Sequence, residues 1–191
     1  MTEPVKKRCF WCNLKNPLYI AYHDNEWGRP CRDEQKLYEY FILETFQAGL
    51  SWECILNKRE NFRKAYDDFD LDAVCAYGED KVEELMQDPG IIRDRAKIRA
   101  SIKNSRIYRS IVEEAGSFEA YLERFTGGKT VFEPDVRITI SPVSDALSAD
   151  LKKRGMAFVG STTIYAFLQA IGAVNAHQKD CFCYQDFLTR G

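Results

Sequence analysis

An all-α fold follows from three features of the chain. Apolar residues recur at helical rather than alternating spacing through most of the 191 residues. Helix starts and stops stand at the ends of those segments, with Asp33 ahead of one and Gly49, Gly116 and Gly155 just past others. The one stretch with strand-like alternation, 136–140, is solitary, and one strand makes no sheet.

In chain order, Asp33 caps a helix over 34–47 that ends before Gly49. A second helix is expected over 51–69, with Ile55, Phe62 and Tyr66 on one side. A short helix over 79–87 is stopped by Asp88-Pro89-Gly90, and a long one over 93–115 carries Ile98, Ile102 and Ile111. Ser117 opens a further short helix, and 127–142 is a loop punctuated by Gly and Pro. Ser144 caps a helix that closes on Lys152-Lys153-Arg154 and Gly155, cations and a glycine where a helix C-terminus favours them. The last apolar helix covers 162–171. With no internal repeat and no low-complexity tract, one domain over 1–191 is expected.

At 45% hydrophobic and 29% charged residues, the chain is long and apolar enough to bury a core without disulfides. Its seven cysteines, an odd number, argue against a disulfide framework. No apolar run approaches the roughly 18–20 residues that cross a bilayer, and no apolar stretch follows Lys6-Lys7-Arg8 to make a signal peptide. A cytoplasmic protein is expected. The net charge of −2 means that positive charge for a polyanionic partner has to be local.

Three constellations carry chemistry. The first is the pair of histidines, each near cysteine. His177 and Cys181 are four apart and share a face if that segment is helical, while Cys9 and Cys12 precede His23. Two Cys and two His suit a closed, tetrahedral, structural zinc site that ties the two ends of the chain together. Spacing leaves Cys9 against Cys12, and Cys181 against Cys183, open.

The second is Glu44, which shares a helical stripe with Leu37, Phe41 and Ala48. A carboxylate on an apolar face either pairs with a structural Arg or Lys or lines a pocket. Tyr19, Tyr22 and Trp27 upstream and Trp52 just after the Gln47-Ala48-Gly49-Leu50 break supply aromatic walls for a pocket. Rings with one carboxylate suit a flat cationic base, through stacking, cation–π attraction and a hydrogen bond from an exocyclic amine. The third is a basic run, Arg93, Arg95, Lys97, Arg99, Lys103, Arg106 and Arg109, behind the turn at Gly90. Such a turn and helix N-terminus can hold a phosphate, and a charge run is also an ordinary solvated face.

Several blocks then resemble the bacterial type I 3-methyladenine DNA glycosylases: Tyr19-Ile20-Ala21-Tyr22-His23-Asp24-Asn25-Glu26-Trp27-Gly28, Gln47-Ala48-Gly49-Leu50-Ser51-Trp52 and Gly90-Ile91-Ile92-Arg93. So do Ser144-Asp145-Ala146-Leu147, Lys152-Lys153-Arg154-Gly155 and Phe158-Val159-Gly160, in the same order, and the likeness runs from Cys9 to about Tyr184. The resemblance implies a helix-hairpin-helix fold with one structural zinc held by Cys9, His23, His177 and Cys181. It implies base contacts from Glu44, stacking by Tyr22 and Trp52, and Tyr19 and Trp27 around the pocket. Gln47, Gly49 and Leu50 would fill the gap left in the duplex, and Gly90, Arg93 and Lys97 would hold the DNA backbone.

Two departures stand out: Ala166 occupies a position where the family more usually has Ser, and the segment from Cys9 to His23 is about one residue longer than the family pattern. The implied partner is alkylated double-stranded DNA, bound by a monomer with no membrane and no obligate protein partner. The implied reaction is hydrolytic release of a cationic, already weakened base, with Glu44 as the catalytic group, water as nucleophile and no Schiff-base lysine. Two other classes fit parts of the pattern: a zinc-stapled nucleic-acid-binding module, and a zinc hydrolase using His23, His177 and Glu26.

Overall fold

The computed structural model describes residues 6–135 and 137–184. Its helices are α1 (Pro17–Asn25), α2 (Glu34–Gln47), α3 (Trp52–Leu56), α4 (Arg59–Ala65) and α5 (Leu71–Ala76). They continue with α6 (Glu79–Gln87), α7 (Arg95–Ala115), α8 (Phe118–Thr126), α9 (Pro142–Lys153) and α10 (Ser161–Ala170). Two short strands, β1 (Val131–Phe132) and β2 (Val174–Asn175), pair in parallel with Val131 opposite Val174. None of the described helices is long and apolar enough to cross a membrane.

Helix α2 is the axis of the core. Every residue from Leu37 to Phe46 is buried, so the helix is enclosed on all sides rather than along one stripe. It packs against α10, α7, α8 and α3. Asp33 caps it by accepting the Lys36 N–H at 3.1 Å. That enclosure puts two of its carboxylates, Glu39 and Glu44, inside the protein.

The expected helix over 51–69 is instead three pieces. Ser51 caps α3, Lys58 restarts the chain as α4, and a 3-10 turn (Asp67–Phe69) follows with Asp67, Asp68 and Phe69 all at positive φ. One-sided apolar spacing survives these breaks because each piece presents its large residue, Ile55, Phe62 or Phe69, to the same core.

Helix α7 begins at Arg95, two residues later than expected, because Asp94 caps it by accepting from Ala96 and Lys97 N–H. Helix α9 begins three residues earlier than expected. Ser141 is its cap, Pro142 takes the first turn, and Ser144 completes a reciprocal capping box from inside the helix.

The strand-like stretch is not a strand: 137–140 carries no strand, and Val136 lies outside the described residues. The chain pairs slightly earlier, where Val131 N–H donates to Ala173 O and Glu133 N–H to Asn175 O, each at 2.9 Å. Helix α1 was not signalled by periodicity. Its start chemistry is plain, however, with Asn16 accepting from Leu18 N–H and Pro17 in the first turn.

Candidate active site

Helices α1, α2, α3 and α10 and the 137–140 segment enclose a cavity of about 230 Å³. Tyr19 and Tyr22 come from α1, Trp27 from just beyond it and Trp11 from the N-terminal segment. Glu44 and Gln47 come from the last turn and a half of α2, and Trp52 opens α3. The Tyr22 and Trp52 rings lie 5.1 Å apart, tilted by 42°. Trp11 sits edge-on to Trp27 at 4.6 Å and 5.4 Å from Tyr19.

The structure thus brings Tyr19, Tyr22, Trp27, Glu44, Gln47 and Trp52 to one cavity. It adds a wall that periodicity alone did not flag. Thr162, Tyr165, Ala166 and Gln169 face the cavity at i, i+3, i+4 and i+7 along α10. The signal was a stripe of small and polar residues on an otherwise apolar helix.

Glu44 is 3% exposed, and its Oε2 is buried without a hydrogen-bond partner among the described residues. Burial alone drives its carboxyl pKa well above the usual range, with no cation or donor opposing it. Trp52 Nε1 is likewise buried and unpartnered. Leaving such groups unpaired costs about 1–3 kcal/mol each. An acceptor and rings around an open volume fit a flat guest with a donor edge and positive charge.

The turn after α2 is held from below. Lys97, expected at the DNA backbone, is 8% exposed, and its Nζ donates to Phe46 O at 2.9 Å and Ala48 O at 2.5 Å. It therefore closes the C-terminus of α2 and does not face outward. Above it Leu50 N–H reaches back to Gln47 O at 2.6 Å, Gly49 takes φ +79°, and Leu50 is left 40% exposed.

The basic run on α7 is largely neutralised by its own protein. Arg95 pairs with Glu83, Arg99 with Glu79 and Arg109 with Asp72. Arg106 donates to Cys75 O and Tyr77 O, each at 2.9 Å. Arg93 and Lys103 alone make no ion pair or hydrogen bond to a described residue. The Gly90 N–H, expected to face a phosphate, is taken by Asp88 Oδ1 at 2.7 Å.

Behind the aromatic wall lies a second polar cluster. The donor atoms of His23, His177, Cys181 and Cys183 all fall within 4.8 Å of one another, and all four residues are buried. That is close to the span allowed by two bonds of about 2.0–2.3 Å to one ion. Each imidazole is oriented by an oxygen on its far side, His23 Nδ1 by Asp24 Oδ1 at 2.8 Å and His177 Nδ1 by Asn175 Oδ1 at 2.9 Å. Arg8 grips the same Asp24 with two bonds, at 2.8 and 2.7 Å. Burial brings the His177 pKa down to about 4, which keeps the ring neutral, as a metal ligand must be. Hydrogen bonds from Cys183, Cys9 and His23 hold the Cys181 thiol below its usual range.

Three of the four expected ligands, His23, His177 and Cys181, stand in this cluster. Cys183 converges with the other three, while Cys9 stands beside them, its Sγ accepting Gln178 N–H at 3.4 Å. Residues His177 and Cys181 meet through a turn, Cys181 N–H to Gln178 O at 2.8 Å, rather than along a helix. The cluster supports the cavity directly: Trp11 lies 5.2 Å from His23, and Trp27 lies 4.6 Å from His177. Gly28, at φ +71°, lets the chain pass, since a Cβ there would come 2.9 Å from the His177 ring.

Residues 11–184 match the model of the methyladenine glycosylase family. The chain belongs to that family. It is 46% identical over 182 residues to the DNA-3-methyladenine glycosylase 1 of Escherichia coli K12, covering 93% of this chain and 97% of that one. The DNA-3-methyladenine glycosylase of Haemophilus influenzae is 42% identical over 180 residues, covering 92% and 97%. A crystal structure of a 3-methyladenine DNA glycosylase I superposes with a TM-score of 0.88 at 46% identity, over 93% of this chain and 99% of that one. A Staphylococcus aureus glycosylase I, solved to explain 3-methyladenine recognition, superposes at 0.85 with 36% identity, over 88% and 92%. Within this family the cavity at Glu44 is the candidate base-binding site, and the His/Cys cluster lies behind its wall.

Proposed function

We propose that the chain is a monofunctional DNA glycosylase that hydrolyses the N-glycosidic bond of 3-methyladenine flipped out of alkylated duplex DNA, the opening step of base excision repair. The observation that carries this reading is Glu44, a buried carboxyl with no partner in an aromatic cavity. Methylation at ring position 3 makes the adenine a cation, so the base attracts the Glu44 carboxylate and leaves readily. Extruding it costs a few kcal/mol of unstacking, which the pocket offsets by stacking on Tyr22 and Trp52. Tyr19 and Trp27 complete the walls. Water attacks C1′ of the sugar and loses a proton to solvent, the glycosidic bond breaks with its electron pair passing to the base, and the base leaves neutral.

Glu44 supports that step by holding the base and balancing its charge until the bond breaks. No lysine lines the cavity among the described residues, which supports base release without a Schiff base or strand cleavage. Gln47, Gly49 and Leu50 form the wedge that fills the vacated stack, and Lys97 stiffens that wedge from inside. The α6–α7 turn serves as the hairpin of a helix-hairpin-helix, with Arg93 as its phosphate contact. The enzyme works as a monomer on alkylated double-stranded DNA.

The His/Cys cluster fits one structural zinc ion, which when bound supplies a cross-link between the two ends of the chain. His23, His177 and Cys181 hold it under either choice of fourth ligand. Cys9 is the better fourth ligand because its Sγ already accepts an N–H. Cys183 Sγ instead faces His23 O at 3.8 Å and Asp24 O at 4.0 Å, where a thiolate would be repelled.

The test is base release from methylated duplex DNA, with freed bases identified by mass spectrometry. Release of 3-methyladenine with little 7-methylguanine is expected. No release from folded, zinc-loaded protein would overturn the reading.

A further inference from the structure

Charged Glu44 offers only acceptors, and an alkylated adenine presents more than a donor. Its exocyclic amine is flanked by ring nitrogens that accept hydrogen bonds. A carboxylate serves the amine and repels the lone pair beside it, so a second group has to donate. Trp52 Nε1 is unpartnered, but that N–H lies in the plane of a ring that stacks on the base, so it points past the base edge.

Gln169 meets the need from the α10 wall. Its backbone is fixed, because its carbonyl accepts Gly28 N–H at 2.9 Å and Gly172 N–H at 3.2 Å. The first of these ties it to the residue following Trp27, so two walls of the cavity are joined there. Gln169 lines the cavity, and its carboxamide makes no hydrogen bond to any described residue. Gln47, the other lining carboxamide, ends α2 at the exposed turn rather than within a packed wall.

We infer that Gln169 is a specificity-determining residue: its carboxamide N–H donates to the ring nitrogen beside the amine that Glu44 accepts from. The inference rests on the base-excision reading above. A glutamine paired with adenine through a donor and an acceptor is a recognition geometry that proteins also use on duplex DNA.

The experiment measures binding of free 3-methyladenine by tryptophan fluorescence, in wild type and in Gln169→Met, which keeps length and loses the hydrogen bond. Affinity should fall about tenfold, the loss of one hydrogen bond to the guest, with an unchanged melting temperature because the amide has no partner in the empty protein. Gln169→Glu, an acceptor, should lose at least as much. Among 1-deaza and 7-deaza analogues of 3-methyladenine, one should bind wild type more weakly, and Gln169→Met should weaken that analogue no further. Equal affinity of wild type and Gln169→Met, additive losses with both analogues, or a lowered melting temperature would overturn the role. Failure of wild type to release 3-methyladenine from DNA would instead overturn the reading beneath it.

Discussion

Helix α2 buries two glutamates one and a half turns apart, and they meet opposite fates. Glu39, 6% exposed, accepts from Arg59 at 2.5 Å and from Arg63 at 2.9 Å. Arg59 is itself shared with Glu26, which also takes the Tyr40 hydroxyl at 2.5 Å. Glu44, 3% exposed, has no cation among the described residues, and burial raises its pKa unopposed. Glu39 meets the rule that a buried carboxylate needs a partner from within the fold, whereas the proposed partner of Glu44 is the bound base. A buried charge is therefore evidence of function only when the fold leaves it unanswered.

The largest effect should come from breaking the satisfied side. Glu39→Ala leaves the buried Arg59 short of a partner and should cost roughly 3 kcal/mol in urea unfolding, with the catalytic rate per folded molecule unchanged. A large rate loss with little destabilisation would erase the contrast with Glu44.

The His/Cys cluster extends the satisfied side, and it can be sharpened by a pair of variants. Cys9→Ser should lose zinc in elemental analysis and melt several degrees lower, while Cys183→Ser should keep one zinc per chain. The reverse pattern would make Cys183 the fourth ligand.

Lys97 tests whether the unanswered side is held open by design of the turn. Lys97→Met removes two hydrogen bonds from the end of α2. It should cost about 1–2 kcal/mol and slow base release more than it weakens non-specific DNA binding. An unchanged rate together with weakened DNA binding would return Lys97 to the phosphate-contact role.

The smallest effect is a pH signature. A carboxyl whose folded pKa lies above its unfolded value of about 4.3 keeps its proton longer in the native state. Stability from that group is full below the unfolded pKa and is lost as pH rises through the folded one. Glu44→Gln removes the penalty, so its melting temperature should gain on wild type from pH 4 toward neutrality. A constant difference across that range would mean that Glu44 is answered inside the protein after all.

Much of the contrast was legible in the sequence. Period and caps gave α2 and put Glu44 on its apolar stripe, and only the fold decided between an ion pair and a pocket. Nothing local distinguishes Glu44 from Glu39, because the deciding cations, Arg59 and Arg63, approach from α4. The neutralisation of α7 was hidden for the same reason. Glu79 and Glu83 on α6 stand four apart, as do Arg95 and Arg99 on α7, and the match acts only once the hairpin closes. Helix α1 escaped because its face toward the cavity and its face toward the His/Cys cluster both carry rings, so no single apolar stripe forms. The histidines and cysteines announced their cluster by residue type, while spacing left Cys9 against Cys12 and Cys181 against Cys183 open, because the surroundings of each sulfur are set only by the folded chain.

The account turns on the unanswered carboxyl, and the direct measurement is single-turnover release of 3-methyladenine from alkylated duplex by wild type and Glu44→Gln. The amide keeps shape and hydrogen bonding and cannot carry charge. The account predicts a rate at least tenfold lower, the equivalent of about 1.4 kcal/mol, in a protein that is as stable as wild type or more so. A wild-type rate in Glu44→Gln would contradict it.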